Sequence, residues 1–195
     1  MSKKYKVIGE GTYGCVIKPS LRCTTKENYN NKLSKIMKIS DATEELKEYE
    51  NLKNIDNIEK YAIIAPKLCY PKLTQVFRKT AKKCKNEKIK FRVNNDLYEA
   101  PSIKTLAMLL LEDGGVDFHE IHKQFKNFNN NERNNIFYSF LNLFEGILFF
   151  RQNNIIHRDI KLGNIVFNVN DNKAKFIDFG LSIIKKDFKT KLKNN

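Results

Sequence analysis

Short apolar segments separated by polar turns predict several β-strands in the amino-terminal half of the chain. Tyr5–Ile8 and Cys15–Lys18 flank a glycine-rich turn, and Pro19 discourages helix formation after the second of them. Lys35–Ile39 also reads as a strand. Ile103–Leu111 is too hydrophobic for the edge of a sheet, so we expect neighbouring strands on both of its sides.

Longer segments predict helices. Asp41–Ile55 carries apolar residues at helical spacing, with Asp41 as the expected N-cap, and Asp117–Phe125 is a shorter amphipathic segment. An asparagine-rich loop, Phe128–Asn135, precedes Ile136–Arg151. Because this last segment is apolar nearly all round, we expect a helix that is buried on most sides.

The densest group of reactive side chains lies near the end of the chain. Residues 155–164 read Ile-Ile-His-Arg-Asp-Ile-Lys-Leu-Gly-Asn, and residues 177–180 read Ile-Asp-Phe-Gly. A short apolar strand and a polar turn separate the two segments. One such aspartate alone would usually be a solvated loop residue, but the ordered set argues for function.

The order His-Arg-Asp-x-Lys-x-x-Asn followed by Asp-Phe-Gly resembles the catalytic and metal-binding loops of eukaryotic-type serine/threonine protein kinases. The resemblance implies ATP and Mg²⁺ as cofactors. It implies that Asp159 accepts the proton of a substrate hydroxyl and that Lys161 neutralises charge on the transferred phosphoryl group. Asn164 and Asp178 would hold magnesium through oxygen atoms. Tyrosine-specific kinases usually differ at the position of Lys161.

The segment Gly9–Val16 reads Gly-Glu-Gly-Thr-Tyr-Gly-Cys-Val. Glycines at this spacing also occur in dinucleotide-binding folds, but a helix follows them there, whereas a strand is predicted here. Strand, glycine turn and strand resemble the loop that covers the nucleotide phosphates in kinases. The resemblance implies a cofactor-binding set at Ile8, Gly9, Glu10, Gly11, Thr12, Tyr13, Gly14, Cys15 and Val16.

Lys38 matches the kinase lysine that contacts the α- and β-phosphates. Two positions earlier the family has an alanine above the adenine, and Ile36 stands there instead, which would narrow the pocket. The family also pairs this lysine with a helical glutamate. Glu48 is the best candidate, with Glu44 and Glu45 as alternatives.

Glu112-Asp-Gly-Gly115 resembles the hinge that joins the two kinase lobes. Backbone groups of Glu112 and Gly114 would bind adenine, and Val166 would complete the cofactor-binding set. The implied fold is α+β, protein-kinase-like and two-lobed. A β-rich N-lobe would span 1–113, and 114–195 would form a helical C-lobe.

The family continues beyond Asp-Phe-Gly with further helices, so the C-lobe is expected to be incomplete and the kinase truncated. A short basic tail would follow. An apolar side of Ile136–Phe150 should then face solvent or a second chain. A softer resemblance extends to kinases of large DNA viruses or of protists with A/T-rich genomes.

The chain has 195 residues and a formal net charge of +14. Because lysine and asparagine are spread along the whole chain, a specific nucleic-acid site is not favoured. Three hypotheses follow: a kinase acting on Ser/Thr hydroxyls of proteins, a non-catalytic remnant that binds nucleotide or a partner protein, and a basic nucleic-acid-binding module. No signal peptide, transmembrane segment or membrane partner is expected, and the predicted location is cytoplasmic, meaning the host cytoplasm or the virion if the protein is viral.

Three smaller features complete the sequence-based expectations. The four cysteines show no Cys-x-x-Cys spacing, which favours free thiols in a reducing compartment. Arg78–Lys90 is a strongly basic insert, for which we expect a solvated hairpin or a disordered loop. His119 and His122 lie at helical spacing without an evident third ligand, so surface or packing roles are expected.

Overall fold

A computed structural model describes residues 4–64, 66–89 and 105–185. It divides into two compact units, Met1–Leu46 with Pro66–Asp113 and Lys47–Ala65 with Gly114–Asn195. Lys47–Ala65, which the sequence placed in the first domain, thus belongs to the second unit. Most of the predicted basic tail, the end of the basic insert and the first residues of the apolar strand lie outside the described residues.

The first unit contains a five-stranded antiparallel sheet with the order β1-β2-β3-β5-β4. Its strands are β1 Lys6–Glu10, β2 Gly14–Lys18, β3 Lys32–Lys38, β4 Lys67–Cys69 and β5 Leu106–Glu112. Strand β5 lies between β3 and β4, which confirms that the apolar segment is not at an edge. Burial of its first five residues explains why that segment shows no alternation of polar and apolar positions.

The two faces of this sheet are packed differently. Cys15, Ile17 and Ile36 point to one face and belong to a single buried cluster. Met37 belongs to another cluster, in which it packs with Ala107, Leu109 and a helical alanine. Since successive side chains of a strand point to opposite faces, Ile36 and Met37 mark the two sides of β3.

The cysteines are paired, and the expectation of free thiols was wrong. Cys15 bonds to Cys84 and Cys23 bonds to Cys69, with Cα–Cα distances of 6.1 and 5.8 Å. These distances lie within the normal range for disulfides. The partners are 69 and 46 residues apart along the chain, so their spacing in the sequence carries no sign of the pairing.

Two helices accompany the sheet, and both differ from the sequence-based expectations. Helix α1, Ile39–Leu52, begins directly after β3, so Asp41 lies inside the helix and does not cap it. Helix α2, Gln75–Ala81, begins after Thr74, whose side chain accepts a hydrogen bond from the backbone N–H of Phe77. The first four residues of the basic insert are therefore helical, because Phe77 and Ala81 bury an apolar face.

The second unit contains two further helices, α3 Phe118–Gln124 and α4 Asn130–Gln152. Its strands are β6 Val116–Asp117, β7 Ile155–Ile156, β8 Ile165–Asn168, β9 Lys173–Phe176 and β10 Ile183–Ile184. Strands β6, β8 and β9 form one antiparallel sheet, and β7 pairs with β10. Aromatic rings are frequent in the core, where Phe150 contacts both Phe176 and Phe179.

Helix α4 begins six residues before the predicted start, and the expectation of a loop over Phe128–Asn135 was wrong. Asn129 and Glu132 form a capping box, in which each side chain accepts a hydrogen bond from the other residue's backbone N–H. Because this satisfies N–H groups that the first turn leaves unpaired, a polar segment can open the helix.

The two faces of α4 differ sharply in exposure. Ile136, Leu143 and Phe150 are buried, but an opposite apolar face is open. The exposed fractions of its side chains are 59% for Phe137, 60% for Leu141, 64% for Phe144 and 56% for Leu148. The helix is therefore not buried on most sides, and the expected apolar surface is present. Among the described residues, no helix combines the length and hydropathy needed to cross a membrane.

Candidate active site

The second unit holds the loop between β7 and β8 by hydrogen bonds to the segment that follows β9. The ring Nε2 of His157 donates to the carbonyl oxygen of Ile177 at 3.0 Å, and the backbone N–H of Ile177 donates to the carbonyl of Asn164 at 3.0 Å. The backbone N–H of Phe179 donates to the Tyr49 hydroxyl at 3.3 Å. The two motifs are thus joined in three dimensions and not only ordered in sequence.

His157 is a neutral structural element of this loop. Its side chain is buried, and its ring lies 4.5 Å from that of Phe179, measured between centroids. Because the carbonyl of Ile177 can only accept, Nε2 carries the proton and Nδ1 accepts the backbone N–H of Asp159 at 3.3 Å. Burial lowers the pKa of His157, although the hydrogen bond to Ile177 and the nearby Asp178 oppose this. The imidazole therefore orients Asp159 without carrying charge.

The carboxylate of Asp159 receives two side-chain donors. Lys161 Nζ lies 2.7 Å from its Oδ2, and Asn164 Nδ2 lies 2.8 Å from the same oxygen. The hydrogen bond from Lys161 is the main cause that holds the pKa of Asp159 below its usual range, and Asn164 adds to it. The carboxylate is therefore ionised at neutral pH and can accept a proton. Three predicted site residues, Asp159, Lys161 and Asn164, lie together as expected.

Asn164 and Asp178 fit the chemistry of a magnesium site. The amide nitrogen of Asn164 donates to the backbone carbonyl and to the carboxylate of Asp159. Its Oδ1 accepts no hydrogen bond from any described residue, which leaves an amide oxygen available to a hard cation. Asp178 supplies a carboxylate and has φ of 62°, and Arg158 has φ of 69°. Left-handed backbone at two non-glycine residues is typical of functional loops.

Acidification tests the neutral state of His157. An unfolded histidine gains its proton near pH 6.5, whereas the folded His157 stays neutral to lower pH. The unfolded state then binds more protons, so stability falls as pH drops below about 6.5. We expect the midpoint of thermal unfolding to fall from pH 7.5 to 5.5 more in the native chain than in His157→Gln. The exposed His119 provides the control, since His119→Gln should keep the native pH dependence. Equal pH dependence in all three proteins would contradict the buried neutral imidazole.

In the first unit, the glycine-rich loop is the turn of the hairpin formed by β1 and β2. The backbone N–H of Gly11 donates to the carbonyl of Gly14 at 3.0 Å and closes the turn. A Cβ on Gly14 would stand 2.8 Å from the carbonyl oxygen of Ile36, so only glycine fits there. Ile8 and Tyr13 are half exposed. Strand β1 carries Ile8, Gly9 and Glu10, the turn carries Gly11, Thr12 and Tyr13, and β2 carries Gly14, Cys15 and Val16.

The side chain of Cys15 does not face the same side as Val16. It is fully buried in the core and bonded to Cys84. Only the backbone of Cys15 can therefore contribute to a ligand site, and its side chain is removed from the predicted cofactor-binding set. Val16 lies on the opposite face of β2 from this core, so an adenine contact by its side chain stays a prediction.

The lysine of the predicted lysine–glutamate pair is Lys35, and the prediction of Lys38 with Glu48 was wrong. Lys35 Nζ lies 2.8 Å from Oε1 and 2.7 Å from Oε2 of Glu45. The pair is largely shielded, with side-chain exposures of 13% for Lys35 and 8% for Glu45. Among the residues that the structure describes, Lys38 and Glu48 take part in no ion pair or side-chain hydrogen bond.

The alternation of side chains along β3 explains why Lys35, and not Lys38, forms the ion pair. Lys35 stands directly opposite Val16 in the pairing of β2 with β3, and Met37 stands opposite Gly14. Lys38 has the parity of Ile36, which belongs to the buried cluster on the other face. The sequence did contain one sign against Lys38, because the bulky Ile36 stands two residues before it, where the family has alanine. Which of the two lysines lies on the same face of the sheet as Val16 depends on the register of the strands, and the register cannot be deduced from the sequence alone.

The predicted hinge residues fall at the end of β5 and directly after it. Glu112 is the last residue of β5, and its carboxylate pairs with Lys32 of β3. Gly114 packs within the second unit, where an added Cβ would stand 2.2 Å from Ile63 and 2.6 Å from Val166. Val166 is buried in β8. The close approach of Ile63 and Val166 explains why residue 114 is a glycine. The next residue, Gly115, is exposed and has a backbone φ of 103°.

A family model for the protein kinase domain matches residues 2–193. The chain belongs to the protein kinase family. The α+β architecture with a β-rich first unit is that of a kinase-like fold. His157–Asn164 and Asp178–Gly180 match, in residue type and order, the catalytic-loop and Asp-Phe-Gly motifs of that family.

Two relatives from Dictyostelium discoideum match parts of this domain. The probable serine/threonine-protein kinase mkcC is 46% identical over 41 residues, and the probable serine/threonine-protein kinase mkcB is 41% identical over 69 residues. These matches cover 21% and 35% of this chain. The chain spans only 4% and 9% of those relatives, so it compares with a small part of each. The resemblance to viral kinases stays a prediction.

Proposed function

We propose that this kinase domain transfers the γ-phosphoryl group of Mg-ATP to serine or threonine hydroxyls of proteins. The observation that carries the proposal is the geometry around the Asp159 carboxylate, which accepts hydrogen bonds from Lys161 and Asn164 within one short loop. A carboxylate held in this way can accept the hydroxyl proton as the oxygen attacks phosphorus. Lys161 would neutralise charge on the phosphoryl group, the role that the resemblance to serine/threonine kinases gives to a lysine at this position.

The nucleotide would be bound by residues of the first unit. Backbone N–H groups of the glycine-rich loop would contact phosphate oxygens, and Lys35 would contact the α- and β-phosphates in place of Lys38. Glu45 supports that role because it holds the ammonium group of Lys35 at two points. Val16 and backbone groups of Glu112 would contact the adenine, and the resemblance to kinases gives the same role to the backbone of Gly114 in the second unit. Magnesium, bound by Asn164 and Asp178, would neutralise phosphate charge when present.

The test is phosphoryl transfer by the purified chain. The chain is mixed with γ-labelled ATP and three peptide libraries, in which the only hydroxyl belongs to serine, threonine or tyrosine. We expect labelling of the serine and threonine libraries, none of the tyrosine library, and loss of all labelling with EDTA. The same samples are followed by thermal unfolding with and without Mg-ATP.

Three other results would each contradict the proposal. Stabilisation by Mg-ATP without transfer would identify a nucleotide-binding protein that is not catalytic. A ligand at a hundred times its Kd stabilises by about 2.7 kcal/mol, which a thermal shift detects readily. Binding to nucleic acid that weakens steeply with salt and ignores ATP would favour the basic-module hypothesis. Labelling confined to tyrosine would contradict the serine/threonine assignment.

A further inference from the structure

The basic insert contacts the tip of the glycine-rich loop through one asparagine. The side-chain Nδ2 of Asn86 donates to the carbonyl oxygen of Gly11 at 2.7 Å and to that of Thr12 at 3.2 Å. Asn86 and Gly11 are 75 residues apart and both belong to the first unit. Asn86 is not part of any nucleotide-binding motif in the sequence.

Residues on both sides of Asn86 fix it in place. Cys84 is bonded to Cys15 on β2, and the backbone N–H of Lys85 donates to the carboxylate of Glu10. Ile89, three residues after Asn86, is 1% exposed and belongs to the core of the first unit. The insert is thus attached to both strands of the loop hairpin as well as to its tip.

The orientation of the Asn86 amide is also determined. Its Oδ1 accepts the backbone N–H of Lys88 at 3.1 Å and of Ile89 at 3.4 Å, at the start of the helical turn 87–89. Backbone N–H groups can only donate, so Oδ1 must face this turn and Nδ2 must face the loop. The same side chain therefore caps the turn with its oxygen and contacts the loop with its nitrogen.

These hydrogen bonds determine which way two backbone N–H groups of the loop point. The carbonyl of Gly11 shares a planar peptide group with the N–H of Thr12, and the carbonyl of Thr12 shares one with the N–H of Tyr13. In a trans peptide the N–H points opposite to the C=O. Since both carbonyls face Asn86, both N–H groups point away from it.

We infer that Asn86 is a positioning residue that holds the backbone N–H groups of Thr12 and Tyr13 ready for the nucleotide phosphates. The inference rests on the proposed function, because it assigns Asn86 a part in binding ATP. Glycine-rich turns lose much conformational freedom when they bind a ligand, and orienting the donors beforehand reduces that loss. The insert, which lies outside the kinase motifs, thereby contributes to the affinity for phosphate.

The decisive variant is Asn86→Ser. Serine is a good N-cap, so the turn 87–89 keeps its acceptor, but the shorter side chain does not reach the loop carbonyls. Loss of two hydrogen bonds should weaken Mg-ATP binding about tenfold. Adenosine lacks phosphates, so its affinity should not change. Asn28→Ser is the matched control, because the Oδ1 of Asn28 accepts a backbone N–H in an exposed turn remote in sequence from the insert.

The experiment has two arms. In the first, ¹⁵N relaxation without nucleotide gives order parameters for the amides of Thr12 and Tyr13. We expect values near 0.85 in the native chain and in Asn28→Ser, and a fall toward about 0.6 in Asn86→Ser. In the second, fluorescence titration gives Kd for Mg-ATP and for adenosine with the same three proteins. Asn86→Asp, which also keeps the cap, is measured in parallel in case Asn86→Ser does not fold.

Each outcome decides the inference. Unchanged order parameters in Asn86→Ser would overturn it, whether or not the chain binds ATP. Lower order parameters with unchanged ATP affinity would also overturn it, as would equal losses of ATP and adenosine affinity. If the native chain bound neither ligand, the proposed function would fail and the assignment of Asn86 to ATP binding would fail with it. The first arm would still report separately whether Asn86 orders the loop.

Discussion

Asp159→Asn should reduce phosphoryl transfer by about a thousandfold, the range typical of a lost general base. An amide cannot accept the substrate proton at neutral pH. The change also removes the negative charge that holds Lys161 at 2.7 Å. Asn164 keeps its second hydrogen bond, to the backbone carbonyl of residue 159, so the loop should stay in place. The measurement is the initial rate of transfer at saturating Mg-ATP.

The control for this variant is Asp171→Asn, the same change in an exposed turn of the second unit. The Oδ1 of Asp171 accepts the backbone N–H of Lys173, a role that an asparagine oxygen can also fill. Activity and thermal unfolding should both stay close to those of the native chain. Transfer by Asp159→Asn within tenfold of the native rate, with normal folding, would remove Asp159 from the catalytic role.

Lys35→Met should reduce the transfer rate by about a hundredfold to a thousandfold, as expected when one electrostatic contact to the reacting group is lost. Lys38→Met should leave the rate nearly unchanged. The pair is well matched, because both lysines lie on β3 and the substitution is the same. The reason for the difference is the side of β3 on which each lysine lies, since Lys35 stands opposite Val16.

Stability must be separated from catalysis in this comparison. Removing Lys35 takes away the ammonium group that the nearly buried carboxylate of Glu45 contacts at two points, and breaking so shielded an ion pair is strongly destabilising. The double variant Lys35→Met, Glu45→Leu replaces the ion pair with apolar side chains, so thermal stability should recover while activity does not. A large loss in Lys38→Met together with normal activity in Lys35→Met would restore the original assignment of Lys38.

Most of the candidate site could be predicted from short motifs in the sequence. The order His-Arg-Asp, Lys161, Asn164 and Asp-Phe-Gly specifies residue types whose chemistry is local to one loop. The structure brings Asp159, Lys161 and Asn164 together because they lie within six residues of one another. Four of the five strands of the first unit were also predicted approximately, because their apolar segments are short and because glycine and proline mark the ends of β1 and β2.

Two of the misassigned features depend on contacts between distant parts of the chain, whereas the early start of α4 has a local cause. The ion pair contains Lys35 and not Lys38 because the register of β2 against β3 decides which lysine lies on the same face of the sheet as Val16. The spacing of residues along β3 does not decide this. The disulfides join residues 69 and 46 positions apart. The early start of α4 depends on the capping box of Asn129 and Glu132, which overrides a local composition typical of loops.

The sequence by itself therefore determined the family, the reactive residue types and the approximate elements, because these follow from local order and spacing. Only the tertiary structure decided which lysine pairs with which glutamate, how the cysteines pair and what the basic insert contacts. Asn86 is the clearest case, since nothing near it in the sequence points to Gly11 and Thr12. Such contacts arise from chain folding, which places side chains together irrespective of their distance along the sequence.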